Sequence, residues 1–247
     1  MPIVFRNKRK EKKHKATIVV CTYKGNQEHL EQAVESYLNQ EGCKIQLIVS
    51  TVKGDDSLKT LAGHKIKFAI QERPSIYQQL NNATSLIKYD WWCYMSGNDV
   101  ALPTKVKTEI DLCIREKKRI CYSAYNVVDS DLNFVRKAEF EENYSFEKNL
   151  EGNFVADTAM IHKSVSDSYL PFTEEFDNLG YWDFWLRIGQ DHPEWFIYNP
   201  LSTWDYRVND ESRHIKRSQD SKWRKQELKD RQRMLERFGP LRGKYAR

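Results

Sequence analysis

The 247-residue sequence has no apolar segment that approaches the roughly 20 residues needed to span a bilayer. Its N-terminus also lacks the short basic segment followed by an apolar stretch that is typical of a secretory signal peptide. We therefore expect a soluble, non-secreted protein in the cytoplasm. Peripheral contact with a membrane surface stays open as an alternative.

Paired cysteines are missing as well. The five cysteines are an odd number, none belongs to a Cys-x-x-Cys motif, and most lie inside apolar segments. This usage favours small buried thiols over a disulfide framework or a zinc site.

Hydrophobic and aromatic residues are plentiful, at 40% and 13% of the chain. A chain of this length and content can fill the core of one large α/β domain or of two small ones. The seven Trp and thirteen Tyr suit a core, and they equally suit stacking on a base or on the apolar face of a sugar.

The net charge of +5 is concentrated near the two ends of the chain. Residues 7–15 carry six Lys or Arg against one Glu, and the chain from Arg213 onward is dense in both basic types. Such runs favour a polyanionic partner, either nucleic acid or an anionic membrane surface. A solvated tail and a solvated helix face explain the same runs equally well.

Apolar segments alternate with amphipathic ones in a strand-helix-strand order. This order predicts an α/β fold with a mostly parallel sheet. We predict strands at 16–23, 44–50, 65–70, 90–96, 119–129, 154–165 and 195–200, a polar, turn-rich stretch at 130–155, and helices at 28–40, 77–88, 103–116, 181–190 and 220–238.

The stretch WWCYMSGND (91–99) changes from bulky and apolar to small and polar within four residues. In doubly wound sheets, ligands bind outside the carboxyl ends of the strands, which is where Asn98 and Asp99 would emerge. A helix-capping turn is the alternative, because Ser, Asn and Asp favour caps and Pro103 follows closely.

Five segments that span roughly residues 16–214 form a recognisable series. They are TIVVCTYKGNQEHLEQAVESYLNQ (17–40), LIVSTVKGDDSL (47–58), the stretch from Asn81 to Asp99, YWDFWLRIG (181–189) and DYRVNDESRH (205–214). In sequence and in order, these segments resemble the inverting, family-2-like glycosyltransferases of the GT-A fold.

The resemblance implies a GT-A, Rossmann-like, mostly parallel sheet flanked by helices. We expect a basic leader at 1–15, one catalytic domain at 16–217 and a basic helical extension at 218–247. The implied reaction moves one sugar from a nucleotide-diphosphate donor, with a UDP-sugar favoured, to an acceptor hydroxyl with inversion. Glycan, lipid-linked and other hydroxyl acceptors stay open.

The resemblance also implies a donor site. Thr22 and Tyr23 would line the nucleotide pocket, and Asn81 would join them. Ser50 and Thr51 stand where the family usually has an aspartate for the base. A hydroxyl can accept a hydrogen bond from a base N–H, but without the strength of a charge-assisted bond.

The family's acidic metal motif corresponds here to a segment with a single carboxylate. The resemblance implies that Asp99 and Asn98, with His214 as a third ligand, hold Mn²⁺ or Mg²⁺ weakly beside the donor diphosphate. Arg207 would bind the diphosphate from a mobile loop, since its planar guanidinium suits phosphate oxygens.

The family's catalytic base is commonly an aspartate in an acidic pair at the start of the helix that resembles residues 181–189. Gly180 and Tyr181 occupy that place here. Asp183 is the expected base, with Asp177 as the nearest substitute. For Asp183, interaction with the helix dipole is the alternative. Trp182 would form an apolar wall for the acceptor.

Two other functions stay open. A degenerate glycosyltransferase fold would bind sugar nucleotide or glycan without turnover, which the missing acids at Ser50, Ser96 and Gly180 would explain. A nucleic-acid-binding protein has only the basic termini in its favour, because no recognised reading motif is present.

Overall fold

The computed structural model describes residues 14–22, 29–73, 75–176, 179–208 and 220–239. The strands are β1 (His14–Cys21), β2 (Cys43–Val52), β3 (Ile66–Gln71), β4 (Trp91–Ser96), β5 (Val100–Ala101), β6 (Ile120–Ser123), β7 (Tyr125–Val128), β8 (Phe134–Ala138), β9 (Met160–His162), β10 (Phe196–Asn199) and β11 (Trp204–Arg207). The helices are α1 (Leu30–Leu38), α2 (Ser57–Thr60), α3 (Ile76–Thr84), α4 (Lys105–Arg115), α5 (Phe146–Glu151), α6 (Lys163–Tyr169), α7 (Gly180–Asp191) and α8 (Ser221–Phe238), with a 3-10 turn at Pro193–Trp195.

A seven-stranded sheet organises the chain, in the order β10-β6-β9-β4-β1-β2-β3. All neighbours pair in parallel except β9, which runs antiparallel to both β4 and β6. The prediction of an α/β fold with a mostly parallel sheet flanked by helices is confirmed. Because the parallel strands share one direction, β1, β2 and β4 end at the same edge of the sheet.

Both faces of this sheet are buried, as the near-continuous apolar strands predict. Along β1, Val19 faces one core cluster while Ile18 and Val20 face another. Helix α1 covers the second cluster with Leu30 and Tyr37, both fully buried. Four of the five cysteines are buried and Cys43 is half-buried.

The segment 119–129 forms two strands where one was predicted. The backbone leaves the large sheet at Ala124, whose N–H donates to Asn199 O at 3.0 Å and whose carbonyl accepts from Thr203 N at 3.3 Å. Strand β7 then enters a four-stranded sheet with the order β5-β11-β7-β8. Apolar content alone does not reveal this change of sheet, because both halves of the segment are apolar.

Two further predictions were wrong. In the predicted strand 154–165 only β9 is extended, and it leads directly into α6. The stretch 130–155, predicted to be turns, contains β8 and α5. β8 carries four exposed residues and one buried one, so its sequence lacks the alternation that marks a strand.

Helix α8 packs on α7 through a small third cluster that includes Trp182, Met234 and Phe238. Asp220 caps its first turn, with Oδ1 accepting from Lys222 N at 2.8 Å and from Trp223 N at 3.3 Å. The packing fixes the first turn of α8 near the carboxyl edge of the large sheet. In the part of the chain that the structure describes, no helix has the length and apolarity to cross a membrane.

Candidate functional site

A cavity of about 800 Å³ opens at the carboxyl ends of β1 and β4. This volume lies in the usual range for small-molecule and cofactor sites. Cys21 and Ser96 form its floor, the smaller sheet contributes Tyr125 and Tyr206, and α7 contributes Tyr181. The stretch WWCYMSGND (91–99) therefore ends at the cavity, since Asn98 and Asp99 line it.

The Asn98–Asp99 turn is held from below by a buried tyrosine. The Tyr37 hydroxyl lies 2.5 Å from the carbonyl of Ser96 and 2.7 Å from that of Asp99. Asp99 Oδ1 accepts from the backbone N–H of Arg207 at 3.1 Å. Burial raises the pKa of Asp99 to about 7, although the Arg207 hydrogen bond and charge act in the opposite direction.

Arg207 lies in a strand and is buried, where the sequence predicted a mobile loop. Its Nε donates to Asn98 O at 3.0 Å, and its two terminal nitrogens donate to Ser130 O and Gln32 Oε1. The guanidinium therefore supports the Asn98–Asp99 turn from behind and does not line the cavity. The arginine that does line the cavity is Arg224 of α8.

The ends of β1 and β2 are joined by a glutamine that the sequence did not single out. Gln79 Nε2 donates to Thr22 O at 2.8 Å, and Ser50 Oγ donates to Gln79 O at 3.0 Å. The Thr51 hydroxyl donates to Asp55. Of these residues only Gln79 lines the cavity, so the hydroxyls of Ser50 and Thr51 are engaged within the fold.

Asn81 lies on α3 and holds a loop. Its Nδ2 donates to Phe172 O at 3.0 Å, and its Oδ1 accepts from Phe172 N at 2.8 Å. Both ends of the amide are thus used by one backbone residue, and Asn81 does not line the cavity.

Asp183 and Trp182 point away from the cavity. Asp183 is buried, with Oδ2 accepting from Arg187 Nε at 2.8 Å and Oδ1 accepting from Arg237 at 3.1 Å. Trp182 donates from its indole N–H to Asn149 O at 2.6 Å and packs in the third cluster. Asp183 is therefore bound to α8 and Trp182 to α5, and neither residue lines the cavity.

Asp157 is a cavity carboxylate that the sequence analysis did not single out. The residue is exposed to the cavity, yet protein surrounds its carboxyl group, and this burial raises its pKa to about 7. It precedes β9 in a turn without a motif. Its only sequence signal is its place within the predicted strand 154–165.

Three buried polar atoms on cavity-lining side chains have no hydrogen-bond partner among the described residues. They are the Tyr181 hydroxyl, Thr158 Oγ1 and Trp204 Nε1, on side chains exposed by 4%, 4% and 6%. Buried polar groups are nearly always paired, so these three atoms call for a partner that the described residues do not supply, such as a buried water.

Three predicted site residues lie outside the described residues, namely Tyr23, Asp177 and His214. The first turn of α8 also reaches the cavity, where it contributes Trp223, Arg224 and Glu227. That contribution was not predicted, because charge alone marked this helix as a solvated extension.

Comparison with solved structures defines the class of fold. The chain superposes on TarS of S. aureus in complex with UDP, with a TM-score of 0.63 and 12% identity over 79% of this chain and 61% of that one. For TarS in complex with UDP-GlcNAc, the TM-score is 0.65 and the identity 13% over 82% and 60%. The chain therefore has the GT-A-like fold of TarS.

Sequence comparison leads to more particular relatives. Proteins of Rickettsia prowazekii and Rickettsia typhi, both named as uncharacterized glycosyltransferases, are each 24% identical to this chain over 192 residues. The match covers 76% of this chain and 59% of each relative, so the chain spans about three fifths of their length. No family model matches the sequence. The predicted resemblance to glycosyltransferases is confirmed.

Proposed function

We propose that the chain transfers a sugar from a UDP-sugar to an acceptor hydroxyl, with inversion at the anomeric carbon. The observation that supports this most is the cavity at the strand ends, which brings Asn98 and Asp99 together with the aromatic side chains of Tyr125 and Tyr206. In the same fold, TarS has been solved with UDP and with UDP-GlcNAc. UDP-GlcNAc is therefore the first donor to test.

In this proposal the diphosphate lies beside the Asn98–Asp99 turn. The turn is rigid because Tyr37 and Arg207 hold it from two sides. The flat aromatic side chains of Tyr125 and Tyr206 offer stacking surfaces for the base or the sugar.

A divalent ion fits this turn as a partial site. Asp99 Oδ1 already accepts a backbone N–H, which leaves Oδ2 and the amide oxygen of Asn98 for the ion. Mg²⁺ commonly uses one or two protein carboxylates and takes its other ligands from phosphate and water. When bound, it would neutralise charge that develops on the leaving diphosphate.

The acceptor enters, in this proposal, from the side of α8. Trp223, Arg224 and Glu227 form that wall of the cavity, and the helix is strongly basic beyond them. Arg224 in this wall can bind a negatively charged group of the acceptor. Glycan and lipid-linked acceptors with phosphate or carboxylate groups both meet this condition.

Thermal unfolding with nucleotides tests the donor site directly. The protein is heated with UDP, GDP, CMP or dTDP, each with and without Mn²⁺. A ligand at about 100 times its dissociation constant adds roughly 2.7 kcal/mol to the free energy of unfolding. We expect UDP with Mn²⁺ to raise the melting temperature by about 5 °C or more, given the chain length.

Two variants make this test specific. Asp99→Ala is expected to remove the UDP shift, whereas Asp131→Ala, an exposed acid outside the cavity lining, should keep it. A shift that needs no Mn²⁺ would remove the metal from the proposal and keep the donor. If no nucleotide raises the melting temperature of the wild type, the donor proposal is wrong. If the protein binds UDP-GlcNAc but transfers the sugar to no acceptor, water included, a non-catalytic binding protein is favoured instead.

A further inference from the structure

We propose that Asp157 is the general base that takes the proton from the acceptor hydroxyl. This inference rests on the proposed function and assigns the one role in it that the start of α7 at Gly180 does not provide.

Strand order brings Asp157 to the donor site. Because β9 runs antiparallel to β4, with Trp92 opposite Ile161, the chain before β9 lies toward the carboxyl end of β4. Asp157 is four residues before Ile161, and Ser96 is four residues after Trp92. Both line the cavity, so Asp157 and the Asn98–Asp99 turn share one space.

A buried ion pair fixes the turn that carries Asp157. The turn closes through a hydrogen bond from Ala159 N to Ala156 O at 3.1 Å. Lys105 Nζ, fully buried, donates to Thr158 O at 3.2 Å and to Glu109 Oε1 at 2.7 Å. The carboxylate is thus presented from a rigid backbone, as a group that must meet a substrate proton requires.

Gly180, the first position of the acidic pair that the resemblance implies, has no room for a side chain unless the Tyr77 ring moves. At Gly180, an added Cβ would lie 2.6 Å from Cζ of Tyr77. The next residue, Tyr181, lines the cavity with an unpaired hydroxyl. Burial raises the pKa of this phenol well above its ordinary value, so it does not ionise at neutral pH and is not a base.

Asp157 lies beside that tyrosine. Asp157, Tyr181 and Tyr206 line the same cavity, and the negative charge of Asp157 adds to burial in raising the pKa values of both phenols. A carboxylate contributed by the β9 turn therefore occupies the neighbourhood from which the helical acid is missing.

The other carboxylates near the site have different surroundings. Asp183 is bound by Arg187 and Arg237 outside the cavity lining. Asp99 is tied to the backbone of Arg207 at the expected diphosphate. Glu227 is the other acid in the cavity wall and lies on α8.

The proposed step is a single displacement. The acceptor oxygen forms a bond to the anomeric carbon as its proton moves to Asp157, and the bond from that carbon to the diphosphate oxygen breaks. The bond's electron pair leaves with UDP, and the sugar is attached with inverted configuration. Asp157 later loses its proton to water.

The ionisation of Asp157 suits this role. Burial raises its pKa to about 7, and a base whose pKa lies near the working pH is the most effective. The charged or titratable groups that line the same cavity are Asp99, Arg224, Glu227, Cys21 and the tyrosines 77, 94, 125, 181 and 206. We expect turnover to rise with pH through about 7.

The test uses UDP-GlcNAc with water as the acceptor, or another UDP-sugar if the nucleotide screen favours it. We expect Asp157→Asn to lower kcat for UDP release by at least 100-fold, the usual contribution of a general base. UDP affinity, measured by calorimetry, should stay within about twofold, because the variant is nearly isosteric. If Asp157 had only a structural role, the variant would lower both kcat and the affinity for UDP.

Azide provides a second measurement that does not depend on proton removal. Azide is a nucleophile without a proton to lose, so it needs no base. Asp157→Ala with added azide should recover UDP release by at least tenfold and yield the glycosyl azide with inverted configuration. The wild type should gain little from azide.

The same assays on Asp183→Asn and Glu227→Gln compare the rival carboxylates. If either variant loses turnover at constant UDP affinity while Asp157→Asn retains it, the assignment of Asp157 is wrong. Absence of azide rescue in a folded Asp157→Ala that binds UDP would also contradict it. A wild type that neither binds UDP nor releases it from a UDP-sugar would instead overturn the proposed function.

Discussion

The residue with the least expected environment is Lys105. It is fully buried with Glu109, and Glu109 Oε1 also accepts from Ser123 Oγ at 2.9 Å and from Thr203 Oγ1 at 2.7 Å. This network joins α4 to the point where the chain leaves the large sheet, and Lys105 holds the Asp157 turn as well. The ion pair therefore supports the cavity, and its loss should disturb the turn that carries Asp157.

Replacing one member of a buried ion pair leaves the other charge uncompensated. We expect Lys105→Met to lower the free energy of unfolding by about 3–5 kcal/mol, measured by urea denaturation. The double variant Lys105→Met with Glu109→Leu should recover part of this loss, because it leaves no buried charge. Purely additive losses would contradict a coupled pair.

At the scale of elements, the site depends on how α7 meets α3. Tyr77 on α3 lies against Gly180, and its hydroxyl accepts from the N–H of Tyr181 at 3.3 Å. Tyr77 also contacts the Tyr181 ring, with centroids 5.9 Å apart. The close approach of the two helices positions Tyr181 at the cavity.

Gly180→Ala is expected to separate these helices. The added Cβ would lie between 2.6 and 2.8 Å from three atoms of the buried Tyr77 ring, and overpacking of this kind typically costs about 1–3 kcal/mol. The melting temperature should fall by about 2–10 °C. Gly152→Ala is the matched control, because its Cβ would meet nothing within 4 Å. Equal melting temperatures for the two variants would show that the contact is unimportant.

At the scale of the whole molecule, the cavity should shape the pH dependence of stability. Burial raises the pKa of Asp157 from its ordinary value of 3.8 to about 7. Between these values the folded state binds the proton more tightly than the unfolded state. Stability from this group is therefore present below about pH 4 and is lost as pH rises through about 7.

Asp157→Asn should remove the loss of stability that accompanies ionisation of Asp157 above about pH 7. We expect its melting temperature to exceed that of the wild type at pH 8, and the difference to disappear near pH 4. Scanning calorimetry across this range measures the effect. If Asp157→Asn were less stable than the wild type at pH 8, the surroundings of Asp157 would not destabilise its charged form.

The basic ends of the chain belong to the same scale. Residues 7–13 and 240–247 lie outside the described part, whereas the basic helix α8 is docked and contributes to the cavity. Binding to nucleic acid or to an anionic membrane through these ends stays a prediction. Vesicle co-sedimentation at increasing salt measures it, since such binding weakens as ionic strength rises.

Local sequence determined the parallel sheet and the place of the site. Apolar runs such as 44–50 and 65–70 favour strands through their own residues, and β2 and β3 formed there. The abrupt change at Ser96 likewise predicted that Asn98 and Asp99 would lie at a strand end, where the cavity is found. These are short-range properties, because strand formation and its termination depend on neighbouring residues.

Tertiary structure alone decided which side chains reach the cavity. Asp157 and Arg224 are distant in sequence and carry no motif, and they meet only because β9 inserts antiparallel beside β4 and α8 docks on α7. Conversely, Asp183 and Arg207 looked available in the sequence but are bound by partners from other elements. A local pattern specifies the type of element, whereas the partner of a charged group depends on packing between segments far apart in the chain.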